Sequence, residues 1–395
     1  MKLIISSEKL PIKIWTDEIE ESALEQAKNL ANLPFAFKHI ALMPDCHTGY
    51  GMPIGGVLAT RSNIIIVNAV GIDIGCGMLA VKTNLIDLSI EELKKIMGNI
   101  RKVIPVGFKH HDKPLSDSIM PNLDSFDIQP GMVCWNEYQR AGSQIGTLGS
   151  GNHFIEIQKG SDGYIWYMIH SGSRNLGKQV ADFYNKKAIE FNEKWYSSVP
   201  KEIQLAFLST QELWGSLYQM EMNYCIAFAL ANRSQMSDMV QLCFEAVTGN
   251  REKLVKFEEP INISHNYAAL EHHFGQNVMV HRKGATLARE NTVGIIPGSQ
   301  GSKSYIVKGK GNSDSFNSCS HGAGRKMSRT KARNELDLAF EQKLLDDQGI
   351  IHSVRNISDL DEAPSSYKDI DKVIEDQSDL VEVLIELRPL GVIKG

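Results

Sequence analysis

Cysteine is scarce: six in 395 residues, irregularly spaced, with no C-x-x-C pair. That excludes a disulfide scaffold and leads us to expect a reducing, cytoplasmic setting. Long apolar runs are also missing. No stretch approaches the roughly 20 residues of a membrane span, and MKLIISSEKLPIKIW at the start has too short an apolar core for a signal peptide. No internal repeat, low-complexity segment or Pro/Ser/Gly linker divides the chain. Neither charge sign dominates: 42 Lys and Arg against 47 Asp and Glu give −5. No global positive field advertises nucleic acid, so such a partner needs a local basic groove. With 42% hydrophobic and 23% charged residues, disordered, collagenous and coiled-coil classes are excluded.

What is present reads as α+β, because strands do not alternate regularly with helices. Phe191–Tyr196 and Glu212–Val247 carry apolar residues at three- and four-residue spacing, with Pro200 between them. We expect one large domain, 1–395, with a helical insertion at about 182–251. A further helix is expected from Ser89, where Ser89 and Glu92 form a capping-box pattern and Pro105 ends the segment. Others are expected at Ser328–Asp347, stopped by Gly349, and near Asp369. Short strands are expected at 64–67, 154–157, 165–169, 278–281, 293–296, 305–307 and 381–387.

The 32 glycines crowd into a few loops that also present His, Cys or Asp. These are MPDCHTGYGMPIGG (43–56), VGIDIGCGM (70–78), GTLGSGNHFIE (146–156), IHSGSRNLG (169–177) and SCSHGAGR (318–325). A sixth stretch, IIPGSQGSKSY (295–305), is glycine-rich without such a ligand. Glycine permits positive φ and close approach of backbone to a ligand. Asp73 and Cys76 lie three apart on a tight loop. His153 precedes a strand, His170 ends one, and His265 stands in ISHNYA, read as a helix start. One carboxylate, one thiolate and several imidazoles exclude a calcium or magnesium cage. They suit Zn, Mn, Fe or Co without choosing among them. The ligands outnumber what one tetrahedral site needs, so two ions sharing the thiolate fit.

His321 is flanked on both sides by small residues, so backbone can close around a bound group. A neutral imidazole is a competent nucleophile toward phosphorus; the alternative is a sixth metal ligand. Residues 297–302 offer backbone N–H groups and hydroxyls as a phosphate or nucleobase cradle. Neither a P-loop nor a Rossmann fingerprint is present. Lys303, Lys308, Lys310, Arg325, Lys326, Arg329, Lys331 and Arg333 surround His321 in sequence, with Arg282 and Lys283 just before. A charge run is usually a solvated face; here it lies where a polyphosphate or nucleic-acid backbone needs it. From these residues alone the reading stops at a two-metal phosphoryl- or nucleotidyl-transfer enzyme.

At these motifs the sequence resembles the RtcB family of RNA-splicing and RNA-repair ligases. The resemblance covers nearly the whole chain, from MPDCHTGYGMPIGGV through GIDIGCGM, GSGNHF, HSGSRNLG, SHNYA, HRKGAT, PGSQGS and SHGAGR to RPLGVIKG. It implies mixed sheets around a central metal and nucleotide cleft. It also implies an activity: joining RNA that ends in a 2′,3′-cyclic phosphate or 3′-phosphate to RNA that begins with a 5′-hydroxyl. GTP and two Mn²⁺ are the implied cofactors, a histidine–GMP adduct on His321 the implied intermediate, and an archease-type activator a possible partner. The implied metal ligands are Asp73, Cys76, His153, His170 and His265, with Cys76 bridging.

The implied GMP contacts are Asn152, His153, Phe154, Ile155, Glu156, His265, Asn266, Pro297, Gly298, Ser299, Gln300, Ser304, His321, Gly322, Ala323, Gly324 and Lys394. Asp45 is placed behind the His321 imidazole and Tyr367 against the guanine. Gln300 stands where the family pattern leads us to expect Met. Two other classes compete: a metallo-phosphoesterase that only hydrolyses RNA phosphate ends, and a non-catalytic RNA-binding protein with a relic site. The first needs neither His321 nor the 297–302 loop; the second would have lost a ligand, and none is lost.

Overall fold

The computed structural model describes residues 1–249 and 254–395. A six-stranded sheet runs in the order Leu3–Ile5, Ile12–Ile14, Ala36–His47, Ile54–Arg61, Gln276–Lys283, Asn266–His273. A seven-stranded sheet runs Ile261–Ser264, Gly77–Lys82, Ile165–Ser171, Phe154–Gly160, Val381–Lys394, Ser304–Gly309, Val293–Ile296. Successive side chains on a strand point to opposite faces, and here both faces are buried. In the six-stranded sheet Ala41, Met43, Val57 and Ala59 pack against Ile296, Tyr305 and Val307 of the other sheet. Ile40, Leu42 and Leu58 face the opposite way, against the helix Glu21–Ala31.

In the seven-stranded sheet Leu79, Val81, Ile155, Ile157 and Ile169 face the helices Ile90–Val103 and Leu213–Thr248. Met78, Ala80, Phe154 and Met168 face Leu345, Ile350 and Leu360. Burial on both faces is why these strands read as nearly continuous apolar runs.

The helix Ile90–Val103 forms as expected. The Ser89 hydroxyl accepts from the Glu92 N–H at 3.2 Å, and the Glu92 carboxylate accepts from the Ser89 N–H at 2.9 Å. Leu93, Ile96, Met97 and Ile100 form its buried stripe, each contributing about 1.5–3 kcal/mol. Because the cap is exposed, Ser89→Ala should cost only about 1 kcal/mol, read as a lower denaturant midpoint with unchanged slope.

Several expected elements differ. The helix expected at Ser328–Asp347 is two, Arg329–Glu335 and Leu338–Asp346, because the Asp337 side chain caps the second by accepting from Phe340 N–H at 2.7 Å. The strand at 64–67 stops at Ile66, and Val67–Val70 turns into a short helix. In the region read as a helical insertion, the first helix begins at Arg174 and ends at Lys194, and the second spans Leu213–Thr248. The Arg251 boundary lies outside the described residues.

Candidate metal centre and nucleotide cavity

Strand register gathers the candidate ligand residues. Met78 pairs with His170, which pairs with Phe154, and Gly77 pairs with Ser264. Cys76, His153, His170 and His265 therefore meet at one end of the seven-stranded sheet. His265 does not start a helix. It is the single residue between Ile261–Ser264 of one sheet and Asn266–His273 of the other, and its N–H donates to the Cys76 carbonyl at 2.8 Å.

Two triads form, Asp73/Cys76/His153 and Cys76/His170/His265, each with ligand atoms within 4.8 Å of one another. Cys76 belongs to both. Its Sγ lies 3.5 Å from His153 Nε2 and 3.3 Å from His170 Nε2, and Asp73 Oδ2 lies 3.1 Å from His153 Nε2. Such separations suit ions with bonds of about 2.0–2.3 Å.

The outer atoms fix the ligand form. His153 Nδ1 is 3.0 Å from the Leu148 carbonyl and His170 Nδ1 is 3.0 Å from the Asn152 carbonyl. A carbonyl only accepts, so Nδ1 carries the proton and the Nε2 lone pair faces the cluster. His265 Nδ1 is buried without a hydrogen-bond partner, an unmet polar atom of the kind a bound ion resolves. Burial first, and then the crowding of neighbouring imidazoles, which disfavours adding a proton to any of them, holds His170 and His265 well below the usual range, so both are neutral near pH 7. Burial, then Asp73, pushes the Cys76 thiol well up; an ion must displace its proton. Although burial opposes it, the His153 imidazole beside it keeps Asp73 low.

A buried cation braces this arrangement. Arg233, fully buried in the helix Leu213–Thr248, donates to the Ser171 carbonyl at 2.8 Å and the Gly75 carbonyl at 3.0 Å. Those residues are the chain neighbours of His170 and Cys76. Burial lowers Arg233 to about 10, opposed by the charges of Cys76 and Asp73. No carboxylate pairs with it directly among the described residues. Asp73 supplies negative charge in the cluster, and Cys76 adds to it once an ion displaces its proton.

His321 follows the strand Ser318–Ser320. One oxygen of buried Asp45, Oδ2, accepts from His321 Nδ1 at 2.7 Å, His321 N–H at 2.9 Å and Gly322 N–H at 3.2 Å. With the ring proton held on Nδ1, the Nε2 lone pair is free. The His321 ring lies 4.7 Å from that of His265, centroid to centroid. Only glycine fits at 324: φ is +74°, and a Cβ would come 2.2 Å from the Asp45 carbonyl oxygen.

His321 opens into a cavity of about 730 Å³, within the range for nucleotide-sized ligands. Asn152, Phe154, Glu156, Pro297, Gly298, Ser299, Gln300, Gly322, Ala323, Gly324, Tyr367 and Lys394 line it, as does His170. His153, His265 and Asn266 lie behind this wall; Asn266 donates to the Asp73 carbonyl at 3.1 Å. Ile155 faces the apolar core. Ser304 is a brace, its hydroxyl accepting from Gly298 N–H at 3.1 Å. Gln300 also braces: its amide donates to the Glu362 carbonyl and accepts from Ser353 N–H.

Glu362, which carries no sequence signal, anchors the far end. It pairs with Lys394 at 2.7 Å, Arg325 at 3.3 Å and Arg329 at 3.7 Å, and accepts from the Tyr367 hydroxyl. The Arg325 guanidinium covers the Tyr367 ring at 5.2 Å.

The basic stretch does not act as one surface. Arg325, Lys326, Arg329 and Lys331 line the cavity. Arg282 is buried against Glu271, and Lys283 is buried with its ammonium on the Tyr50 and Asn68 carbonyls. Lys303 pairs with Asp371 and Glu386, and Lys308 with Glu382.

Comparison with known proteins now places the chain. The family model for the tRNA-splicing ligase RtcB matches residues 26–126 and 124–395. The chain belongs to the RtcB family. RNA-splicing ligase RtcB of Escherichia coli K12 is 36% identical over 416 residues, covering 99% of both chains. The tRNA-splicing ligases RtcB of Nanoarchaeum equitans and Thermococcus kodakarensis are 33% and 31% identical, each covering 98% of this chain and 95% of the relative. The mixed helix-and-sheet architecture agrees with an RtcB-type α+β fold. Among the described residues no helix is long and apolar enough to cross a membrane.

In this member of the RtcB family Glu156 stands out on the cavity wall. Burial raises its carboxyl to about 8, opposed by the Gln158 amide and by Lys394. Between about pH 4.5 and 8 the native state holds a proton that the unfolded chain has released. Its contribution to stability is complete below about 4.5 and is lost as pH rises through 8. In nucleotide-free protein, Glu156→Gln should therefore raise the melting temperature more at pH 8.5 than at pH 5. An equal shift at both pH values would show that Glu156 is ionised throughout.

Proposed function

We propose that this protein joins RNA ending in a 2′,3′-cyclic phosphate or 3′-phosphate to RNA beginning with a 5′-hydroxyl, using GTP and two manganese ions. The observation that carries the reading is a histidine whose ring proton is held by a buried carboxylate, set beside a thiolate-sharing ligand cluster and open to a nucleotide-sized cavity. Asp73, Cys76, His153, His170 and His265 would hold the ions, which supply charge neutralisation of the phosphates when bound.

A phosphate monoester resists attack because it has no good leaving group, and GMP supplies one. His321 Nε2 attacks the α-phosphorus of GTP, forming a P–N bond and releasing pyrophosphate. Asp45 keeps the proton on Nδ1 and stabilises the positive ring. The RNA 3′-phosphate oxygen then takes GMP from the histidine, breaking the P–N bond. Last, the 5′-hydroxyl attacks the activated 3′-phosphorus, giving up its proton and expelling GMP. A cyclic end is first opened by water to a 3′-phosphate. Asn152, Phe154, Glu156 and the 297–300 loop are the proposed guanosine contacts. Lys394, held by Glu362, closes the far end. Cytoplasmic operation and help from an archease-type activator belong to the same reading.

The test is RNA carrying a 5′-hydroxyl and a labelled 2′,3′-cyclic phosphate, incubated with protein, GTP and Mn²⁺. Joining with the label retained at a phosphatase-resistant junction is expected. Conversion of the end to a 3′-phosphate without joining would favour the phosphoesterase instead.

A further inference from the structure

Behind the Asp73 side of the cluster lies a short loop that the proposed chemistry leaves unused. Its backbone is tied down. The Pro105 carbonyl accepts from Leu148 N–H at 3.0 Å, Gly107 N–H donates to the Gly149 carbonyl at 2.7 Å, and Arg174 donates to the Gly107 carbonyl at 3.2 Å. Leu148 is the residue whose carbonyl fixes the His153 tautomer. The loop is thus one hydrogen bond from the scaffold of the metal ligands.

Out of this pinned backbone Phe108 projects with 90% of its surface exposed. Lys109, His110, Asp112 and Lys113 beside it are exposed too, and no carboxylate, Asp112 included, pairs with either lysine among the described residues. Burial, and then the charges of Arg174 and Arg140, push His110 below its ordinary value, which places two further cations against the loop. A large apolar ring held in water by an ordered backbone gains nothing for the fold. Flanked by the unpaired Lys109 and Lys113, with Arg174 bound behind it at the Gly107 carbonyl, it matches an aromatic platform with a partly positive border, which binds single-stranded nucleic acid by base stacking and phosphate contact.

We infer that the loop 105–113 is a docking surface for the RNA strand and that Phe108 stacks on a base close to the reacting end. This rests on the RNA-ligase reading above and adds a contact residue to it. Stacking tolerates any base, so the contact gives affinity without sequence preference.

The test measures binding of a short fluorescent single-stranded RNA with a 3′-phosphate to metal-loaded protein, by anisotropy at low salt. Phe108→Ala is expected to weaken binding at least about fivefold. Phe108→Trp is expected to bind as the wild type does. Melting temperature and bound metal should stay at wild-type values in both. Equal binding by wild type and Phe108→Ala, or Trp as weak as Ala, overturns the assignment and points to a protein partner for the ring. If the wild type joins RNA while Phe108→Ala binds normally, only this inference fails. If the wild type binds no single-stranded RNA, the ligase reading fails with it.

Discussion

Cys76→Ala is expected to empty both halves of the metal cluster at once. The Sγ atom is the only ligand common to Asp73/Cys76/His153 and Cys76/His170/His265. Losing an outer partner of a ligand costs about 10–100-fold in metal affinity, and losing a shared ligand should exceed that at both positions. Bound metal per chain, read by mass spectrometry after dialysis, should fall to near zero. His265→Ala should behave differently, because the Asp73/Cys76/His153 triad stays intact and about half the metal is retained. Equal, partial loss in both variants would show that the triads do not share Cys76. The variant should not unfold the site by itself, since Arg233 still ties the Gly75 and Ser171 carbonyls to the long helix.

The second large effect is expected from Asp45→Asn. The carboxylate holds none of the candidate metal ligands; it accepts from the His321 Nδ1–H and from the backbone N–H groups of His321 and Gly322. An amide keeps the shape and loses the charge that stabilises a positive imidazole. It also permits the tautomer with the proton on Nε2, which has no lone pair to attack with. The same change in a serine-protease triad costs about 10⁴, so nucleotide transfer onto the protein should slow by roughly 10²–10⁴. Metal content should not change. A variant that labels at the wild-type rate would mean that His321 acts without Asp45.

These residues were legible in the sequence to different degrees. Asp73, Cys76, His153 and His170 sit where glycine loops meet strands, and that pattern survives in one dimension. The surroundings of His265 do not. Asn266–His273 contains Ala, Leu and Glu, which favour helix, yet it pairs along its length with Gln276–Lys283 and becomes a strand. Counting charges cannot tell Arg282, buried against Glu271, from Arg329 at the open cavity. Arg233 is hidden for a related reason: one arginine in a long apolar helix looks like a solvated turn until the loops it clamps are in place. Glu362 gains its importance from three cations distant in sequence, brought together only by the fold. The 328–347 stretch reads as one helix, with no cap read at Asp337, and only the folded chain shows the break.

The most direct test of the central claim is incubation with α-labelled GTP and Mn²⁺, followed by denaturing electrophoresis and separate acid and alkali treatment. The expected result is a label on the protein that acid removes and alkali does not, as for a histidine phosphoramidate, and that is absent from His321→Ala. A label that persists in His321→Ala would contradict it, as would a metal-loaded wild-type protein that takes no label.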